Sequence, residues 1–349
     1  MSAPPPIPAA ALEGFAAGLL RAGGFTAAQA PAVAELLVWA DLRGMASHGV
    51  LRIPRYVEMV ETGLIDPAAE PRTLRSVGAL RLMEAGRAPG AVAMRAAMEA
   101  AVEAARGHGV GWCAARNITH AGAVGYFALM AARAGLVGIV MTASGPLMAY
   151  HGAAGSALST NPIACAAPSA GGDPVLLDMA TSAVSLGRIA AARDAGREIP
   201  PDWGVDAQGR PTTDPAAVET LLPMAGPKGS GLSLMVEVLC SLSVANPVIA
   251  PALAGTAKGR MNGLAIALDP AALSGEDGFA DEVRTLGEAI HALPPAPGVE
   301  AVLLPGERGF ATAARRRAEG VPLAAGTRKR LVALARRLEV ALPEAIGPG

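Results

Sequence analysis

Apolar positions recur every three or four residues through the start of the chain: Leu12, Phe15, Leu19-Leu20, then Val33, Leu36-Leu37 and Ala40. That period predicts helices over 8–43, broken at Gly23-Gly24, with Thr26 placed to cap the second. Ile53-Pro54 and the run from Gly63 to Pro67 predict turns, and Arg81 interrupts the next short apolar run. Pro89-Gly90 opens an Ala-rich helical pattern over 91–106. Short apolar runs then predict strands at 110–115 and 137–142, within 160–168, and at 175–182, 261–269 and 301–304. Helical patterns fall at 185–197, 232–244, 277–292 and 324–342. Such alternation, without a repeat or a low-complexity linker, predicts an α/β or mixed α+β class with a helical N-terminal part.

Length and composition refine this picture in three ways. A chain of 349 residues exceeds one ordinary core, so two or more domains or lobes are expected. Aromatic residues are 3% of a chain that is 52% hydrophobic, so its cores must be aliphatic and rich in Ala–Ala contacts. Charged residues are 17%, below the ~25% usual in soluble domains, which implies surface hidden in an oligomer.

Charge and cysteine usage exclude several function classes. The net charge is −1 with both signs interspersed, which is no footprint for nucleic acid. The densest basic run, Arg315 to Arg317 beside Glu319, reads as a solvated helix face. Cys113, Cys165 and Cys240 are distant from one another and form no CxxC pair, so neither a disulfide framework nor a thiolate zinc site is expected. The N-terminal residues lack the pattern of a signal peptide. The most apolar window, Leu136 to Ala149, is broken by Thr142, Ser144 and Pro146, short of the ~20 residues of a span. A cytoplasmic protein with no membrane partner is the expectation.

Chemistry-bearing residues concentrate in one stretch, Asp41 to Tyr56, which holds Arg43, Ser47, His48, Arg52 and Arg55. If it is helical there, His48 and Arg52 share a face, and a titrating group beside a fixed cation suits a carboxylate that must exchange a proton. No GxGxxG follows a strand, and GxxxxGK[ST], GxSxG and HExxH are absent. The five histidines (48, 108, 120, 151 and 291) contain no pair at helical spacing, so no metal site is expected. His48, His120, Asp178 and Lys228 each sit in a Gly- or hydroxyl-rich turn, the usual source of a composite site on a rigid scaffold. Lys228 at a helix N-terminus combines a cation with unpaired N–H groups. His108 and His291 lack polar neighbours in sequence and read as structural, and His151 is open to either reading.

Several motifs occur in order: Ser-His-Gly-x-x-Arg at 47–52 with Arg55-Tyr56, Asn-x-x-His at 117–120, and Thr-Asn-Pro-Ile-Ala at 160–164. Leu-Asp-Met-Ala-Thr-Ser at 177–182, Pro-Thr-Thr-Asp-Pro at 211–215, Lys-Gly-x-Gly-Leu at 228–232 and Pro-Gly-Glu at 305–307 follow. Together they resemble the malate/L-lactate dehydrogenase family of the non-Rossmann type, over residues 8–342. That family also holds ureidoglycolate, sulfolactate and diketogulonate dehydrogenases and cyclic ketimine reductases.

The resemblance implies a non-Rossmann nucleotide-binding fold, with helical N- and C-terminal parts around a mixed sheet. It implies a helical substrate and dimer domain of 1–74 with 312–349, and an NAD(P)-binding domain of 75–311. The activity implied is NAD- or NADP-dependent hydride transfer between a small 2-hydroxy acid and its 2-oxo acid, in a homodimer whose active sites are walled by both subunits. The alternatives are reduction of a cyclic ketimine such as piperideine- or pyrroline-2-carboxylate, or a catalytically silent nucleotide or carboxylate sensor.

By position, Ser47 and His48 would handle the proton, Asp178 would orient the imidazole, His120 would be a second acid–base group, and Arg52 would grip the carboxylate. Ser144, Thr160, Asn161, Pro162, Asp178, Met179, Ala180, Lys228, Gly229, Gly306 and Glu307 would line the cofactor. The chain departs from the family pattern at Ala143, at the Ala149–Ala153 turn containing Tyr150-His151, and at Gly187-Arg188.

Overall fold

Helices α1 (Ala9–Ala22) and α2 (Gln29–Leu42) form where the apolar period places them, and Thr26 Oγ1 accepts the Gln29 N–H at 3.2 Å. The structure, a computed structural model, describes residues 5–346 apart from 195, 258, 276 and 277. Ile53-Pro54 is not a turn: it opens helix α3 (Ile53–Glu61), where proline's missing N–H costs nothing in the first turn.

The strands are β1 (Arg72–Val77), β2 (Leu80–Glu84), β3 (Val110–Arg116), β4 (Val137–Ala143), β5 (Met148–Ala149) and β6 (Ser156–Leu158). They continue with β7 (Ile163–Ala167), β8 (Val175–Met179), β9 (Gly204–Val205), β10 (Thr220–Leu221) and β11 (Asn262–Leu268). Seven form a mixed sheet in the order β1-β2-β3-β11-β4-β7-β8, antiparallel except for β2 against β3. A smaller sheet runs β6-β5-β10-β9.

The β1–β2 hairpin went unseen in the apolar pattern because β1 is exposed along its whole length and shows no alternation. The expected strand at 301–304 does not form; Leu304 gives its N–H to the Glu307 carboxylate at 2.9 Å instead of a ladder.

Helices α4 (Gly90–His108) and α5 (Gly125–Arg133) cover one face of the larger sheet. The Ala-rich sequence allows a close approach. A Cβ on Gly111 of β3 would lie 1.8 Å from the Ala101 carbonyl oxygen of α4, so only glycine fits there. After α6 (Leu186–Asp194), helix α7 (Pro227–Glu237) and the π turn Val238–Leu242 cover the opposite face through Val236, Cys240, Ala143 and Leu264. One apolar cluster joins α1–α3, the α4–α5 face and the helices Glu307–Glu319 and Ala325–Arg337. The basic run at 315–317 is not wholly solvated, since Arg316 donates to the Asp41 carbonyl oxygen.

Candidate active site

The end of α2 sets the geometry of the Ser47–Arg52 segment. Asp41 is buried and its Oδ2 accepts the Val50 N–H at 2.7 Å. Burial pushes this carboxyl up to about 7, against the opposing pull of the Val50 N–H and the Arg316 charge. A Cβ on Gly49 would lie 2.0 Å from Asp41 Oδ1, so the glycine admits the carboxylate rather than exposing the His48 ring. The segment folds as two short 3-10 turns, Ala46–His48 and Val50–Arg52, and not as the continuous helix that the His48–Arg52 spacing assumed. Arg52 still returns to the site, because its Nε donates to the Ser47 carbonyl oxygen at 2.7 Å.

Ser47 Oγ bonds His48 Nδ1 at 2.9 Å, and the His48 and His120 rings stack with centroids 6.0 Å apart. Tyr56 Oη, one turn beyond Arg52, bonds His120 Nδ1 at 2.6 Å. The cluster therefore joins the loop after α2, the start of α3 and the segment after β3. Both histidines are half-buried, leaving their remaining edges reachable by a small molecule. Burial pushes His48 down to about 4 and His120 to about 3, and the Arg52 guanidinium adds to both shifts. Both rings are thus neutral near pH 7 and able to take a proton from a hydroxyl. Burial pushes the Tyr56 phenol up, so it stays protonated and holds the His120 tautomer. Tyr56 and Arg52 are four residues apart, a signal present in the sequence that was given no role. Arg55 lies outside the cluster, paired with Glu58 at 2.8 Å.

His120 is delivered by its own motif. Asn117 takes a left-handed φ of 55° at the end of β3, and its side chain bonds Glu84 and Asn246. This polar knot ends the strand and turns the chain toward His120.

Asp178 lies at the C-terminal end of β8, but its Oδ2 accepts the Gly125 N–H at 3.1 Å. It does not take the orienting part expected of it, since the bond to His48 Nδ1 is Ser47's. A Cβ on Gly125 would lie 2.6 Å from that oxygen, so Gly125 is a glycine on account of Asp178. Burial pushes Asp178 up to about 6, opposed by the Gly125 N–H and by Arg43. Arg43 is buried between the Trp39 and Phe310 rings, 5.1 and 4.1 Å from their centroids, and donates to the Gly306 carbonyl oxygen at 3.1 Å.

The residues expected to line the cofactor fall into two groups. In the first, Thr160 O accepts both Thr181 N–H and Thr181 Oγ1, at 2.9 and 3.0 Å, and Ser144 Oγ bonds Ser159 Oγ at 2.5 Å. Asn161 is fully buried; its side chain accepts the Ser144 N–H and donates to Ser233 O, so it staples α7 to the sheet. Pro162 accepts the Thr142 N–H, and Met179 pairs with Ile163 just before Ala180 leaves the strand.

The start of α7 is not the open N-terminus expected. The N–H groups of Lys228, Gly229 and Ser230 bond the carbonyls of Ala225, Met224 and Gly226, which leaves the exposed Lys228 ammonium as the anion-attracting group. A Cβ on Gly229 would lie 2.4 Å from Met224 O and 2.7 Å from Thr181 O, so this glycine brings the Asp-Met-Ala-Thr-Ser segment against α7. The His151 N–H bonds Ser230 Oγ at 2.8 Å, placing the unusual Tyr150-His151 turn beside the same helix end.

In the second group, Gly306 (φ 97°) and Glu307 follow Pro305, whose carbonyl accepts the Leu176 N–H from the outer edge of β8. His291 has a polar partner after all: its Nε2 lies 2.9 Å from Glu307 Oε1. Gly187 packs against the Ser47–His48 cluster, since a Cβ there would lie 2.9 Å from Ser47 Cβ.

The sequence and the fold have counterparts in known proteins. The chain is 37% identical over 282 residues to a ureidoglycolate dehydrogenase (NAD(+)) of Escherichia coli O157:H7, covering 80% of this chain and 81% of that protein. A malate dehydrogenase of Entamoeba histolytica superimposes with a TM-score of 0.91 at 26% identity, covering 97% of this chain and 99% of that one. A delta1-piperideine-2-carboxylate reductase of Pseudomonas syringae does so at 0.84 and 32% identity, covering 95% and 99%. The family model described as malate/L-lactate dehydrogenase matches residues 7–332, and this chain belongs to that family.

Proposed function

We propose that the protein interconverts a small 2-hydroxy acid and its 2-oxo acid with NAD or NADP. The observation that carries this is the half-buried cluster of Arg52, His48 and His120 in a chain of this family. The described residues fit a dinucleotide. β8 is an edge strand about 13 Å long at ~3.3 Å per residue, with Thr181 and the start of α7 near one end and Glu307 beside the other. The bound cofactor supplies the hydride acceptor or donor.

Arg52 has one edge bonded to Ser47 O, and its remaining donors grip the substrate carboxylate, which aims the carbon bearing the hydroxyl. His48 takes the hydroxyl proton. Ser47 Oγ engages its Nδ1 at 2.9 Å, which leaves Nε2 to accept that proton, and burial with the Arg52 charge keeps the ring neutral near pH 7. His120, fixed by Tyr56, lies beside it to polarise the same oxygen. The carboxylate opposes the Arg52 charge, so substrate binding itself raises the proton affinity of both rings.

A second reading, cyclic ketimine reduction, is supported by the piperideine-2-carboxylate reductase neighbour and by the Tyr150-His151 departure beside α7. Purified protein is expected to oxidise reduced nicotinamide with small 2-oxo acids. Turnover confined to ring imine carboxylates would favour the second reading, and turnover of neither would refute both.

A homodimer is part of the same reading. Leu232, Met235 and Leu242 are 40%, 51% and 51% exposed along α7 and the turn after it, an apolar face suited to a second copy. Sedimentation as a monomer at micromolar concentration would exclude it. Among the described residues no helix is long and apolar enough to cross a membrane, and a cytoplasmic location is part of the same reading.

A further inference from the structure

We propose that a hollow at the far end of β8 receives the adenosine ribose of the cofactor and selects NAD over NADP; this rests on the dehydrogenase reading above. The hollow, about 330 Å³, is lined by Val175 of β8, by the loop before it, by the helix Phe279–His291 and by Leu304, Pro305 and Glu307. β8 thus has the hollow at its first residue and Met179, leading into Ala180 and Thr181, at its last. A single extended cofactor along this sheet edge reaches both. Pro174, Val175, Leu304 and Pro305 supply apolar lining for a purine, and Gly171 and Gly172, also lining the hollow, have open space beside them.

The charges on the rim decide which ribose fits. Asp173, Glu288 and Glu307 line the hollow, and Arg284, the one guanidinium among its described lining residues, is already bridged to Glu288 at 2.7 Å and Asp281 at 3.4 Å. Glu307 Oε2 accepts the Leu304 N–H at 2.9 Å and lies 3.1 Å from His291 Nε2, while Oε1, 2.9 Å from the same ring nitrogen, keeps a lone pair for a ribose hydroxyl. Arg43 acts on Asp173 from a distance, but its guanidinium is buried between two rings and bonded to Gly306 O. Among the described lining residues, no free cation is available to a 2′-phosphate. Hydroxyls are therefore accepted, and a phosphate dianion meets carboxylates.

The test is equilibrium binding, read by fluorescence titration, of NADH against NADPH and of ADP-ribose against its 2′-phosphorylated form. The unphosphorylated member of each pair is expected to bind tighter by about tenfold or more, the difference shrinking at high salt. Glu307→Gln keeps an acceptor for the Leu304 N–H, and Asp173→Asn leaves that turn untouched. Each is expected to narrow the preference severalfold, chiefly by improving NADPH binding. Equal or tighter NADPH binding by the unaltered protein, or an unchanged ratio in both variants, overturns this inference. If turnover with 2-oxo acids persists in that case, the dehydrogenase reading survives. Binding of neither coenzyme removes both.

Discussion

Replacing Arg52 separates its two roles, the grip on the substrate and the field on the histidines. In Arg52→Gln the carboxylate loses a forked cationic partner. Charge-assisted hydrogen bonds contribute roughly 1.5–3 kcal/mol each. For a half-exposed pair the sum is discounted to about 2–4 kcal/mol, which is a fall of about 30- to 1000-fold in kcat/KM. Arg52→Lys keeps the charge but loses the fork, and a fall of about tenfold is expected.

The pH profile distinguishes the second role. Burial and then Arg52 hold His48 near 4 and His120 near 3. The acid limb of kcat/KM for the free enzyme is therefore expected to move upward in Arg52→Gln and to stay in place in Arg52→Lys. Because burial is the larger cause, the limb stops short of 6.5. Initial rates of NADH formation from a 2-hydroxy acid, followed by absorbance between pH 4 and 8, give both numbers. The corresponding amide, which has no carboxylate, should be used equally poorly by the unaltered enzyme and Arg52→Gln. A kcat/KM for the acid within about threefold of the unaltered enzyme, or an unmoved acid limb in Arg52→Gln, would refute the account.

Tyr56→Phe keeps the ring but leaves His120 Nδ1 without its 2.6 Å partner. A stability loss of about 1–3 kcal/mol is expected with a fall in kcat larger than any change in KM, and an unchanged kcat would show that the phenol does not hold the histidine. Gly49→Ala drives a methyl into the Asp41 carboxylate and is expected to lower Tm strongly, which calorimetry would check.

Stability against pH combines opposing groups. His48 and His120 contribute fully above about 6.5 and lose their share as pH falls toward 4 and 3, whereas Asp41 and Asp178 contribute fully below 3.8 and lose theirs as pH rises to about 7 and 6 respectively. Their combined contribution to Tm is expected to be nearly flat between pH 5 and 6. Removing one histidine in His48→Asn should make Tm rise on acidification through that window relative to the unaltered protein, and identical profiles would contradict the assignment.

Much of this protein is legible in one dimension. The periods of Leu12 to Ala40 and of the Ala-rich 91–106 stretch mark helices because a buried stripe must repeat with the helical turn. The motifs around His48, His120, Asp178 and Lys228 mark the family and the reaction class. Local pattern failed where apolar runs and strands do not coincide. β1 carries no apolar alternation because it stands exposed at a sheet edge, and residues 301–304 lose their ladder to the Glu307 side chain.

The site divides in the same way. Residue types follow from the sequence, but partners are long-range. Asp178 faces Gly125 and Arg43 instead of His48, Tyr56 holds His120 across 64 positions, and Glu307 meets His291 across 16. Sequence spacing reports which side chains share a turn of helix. Which of them share a desolvated space, and so which protons are held or released, depends on elements brought together only when the sheet and its covering helices close.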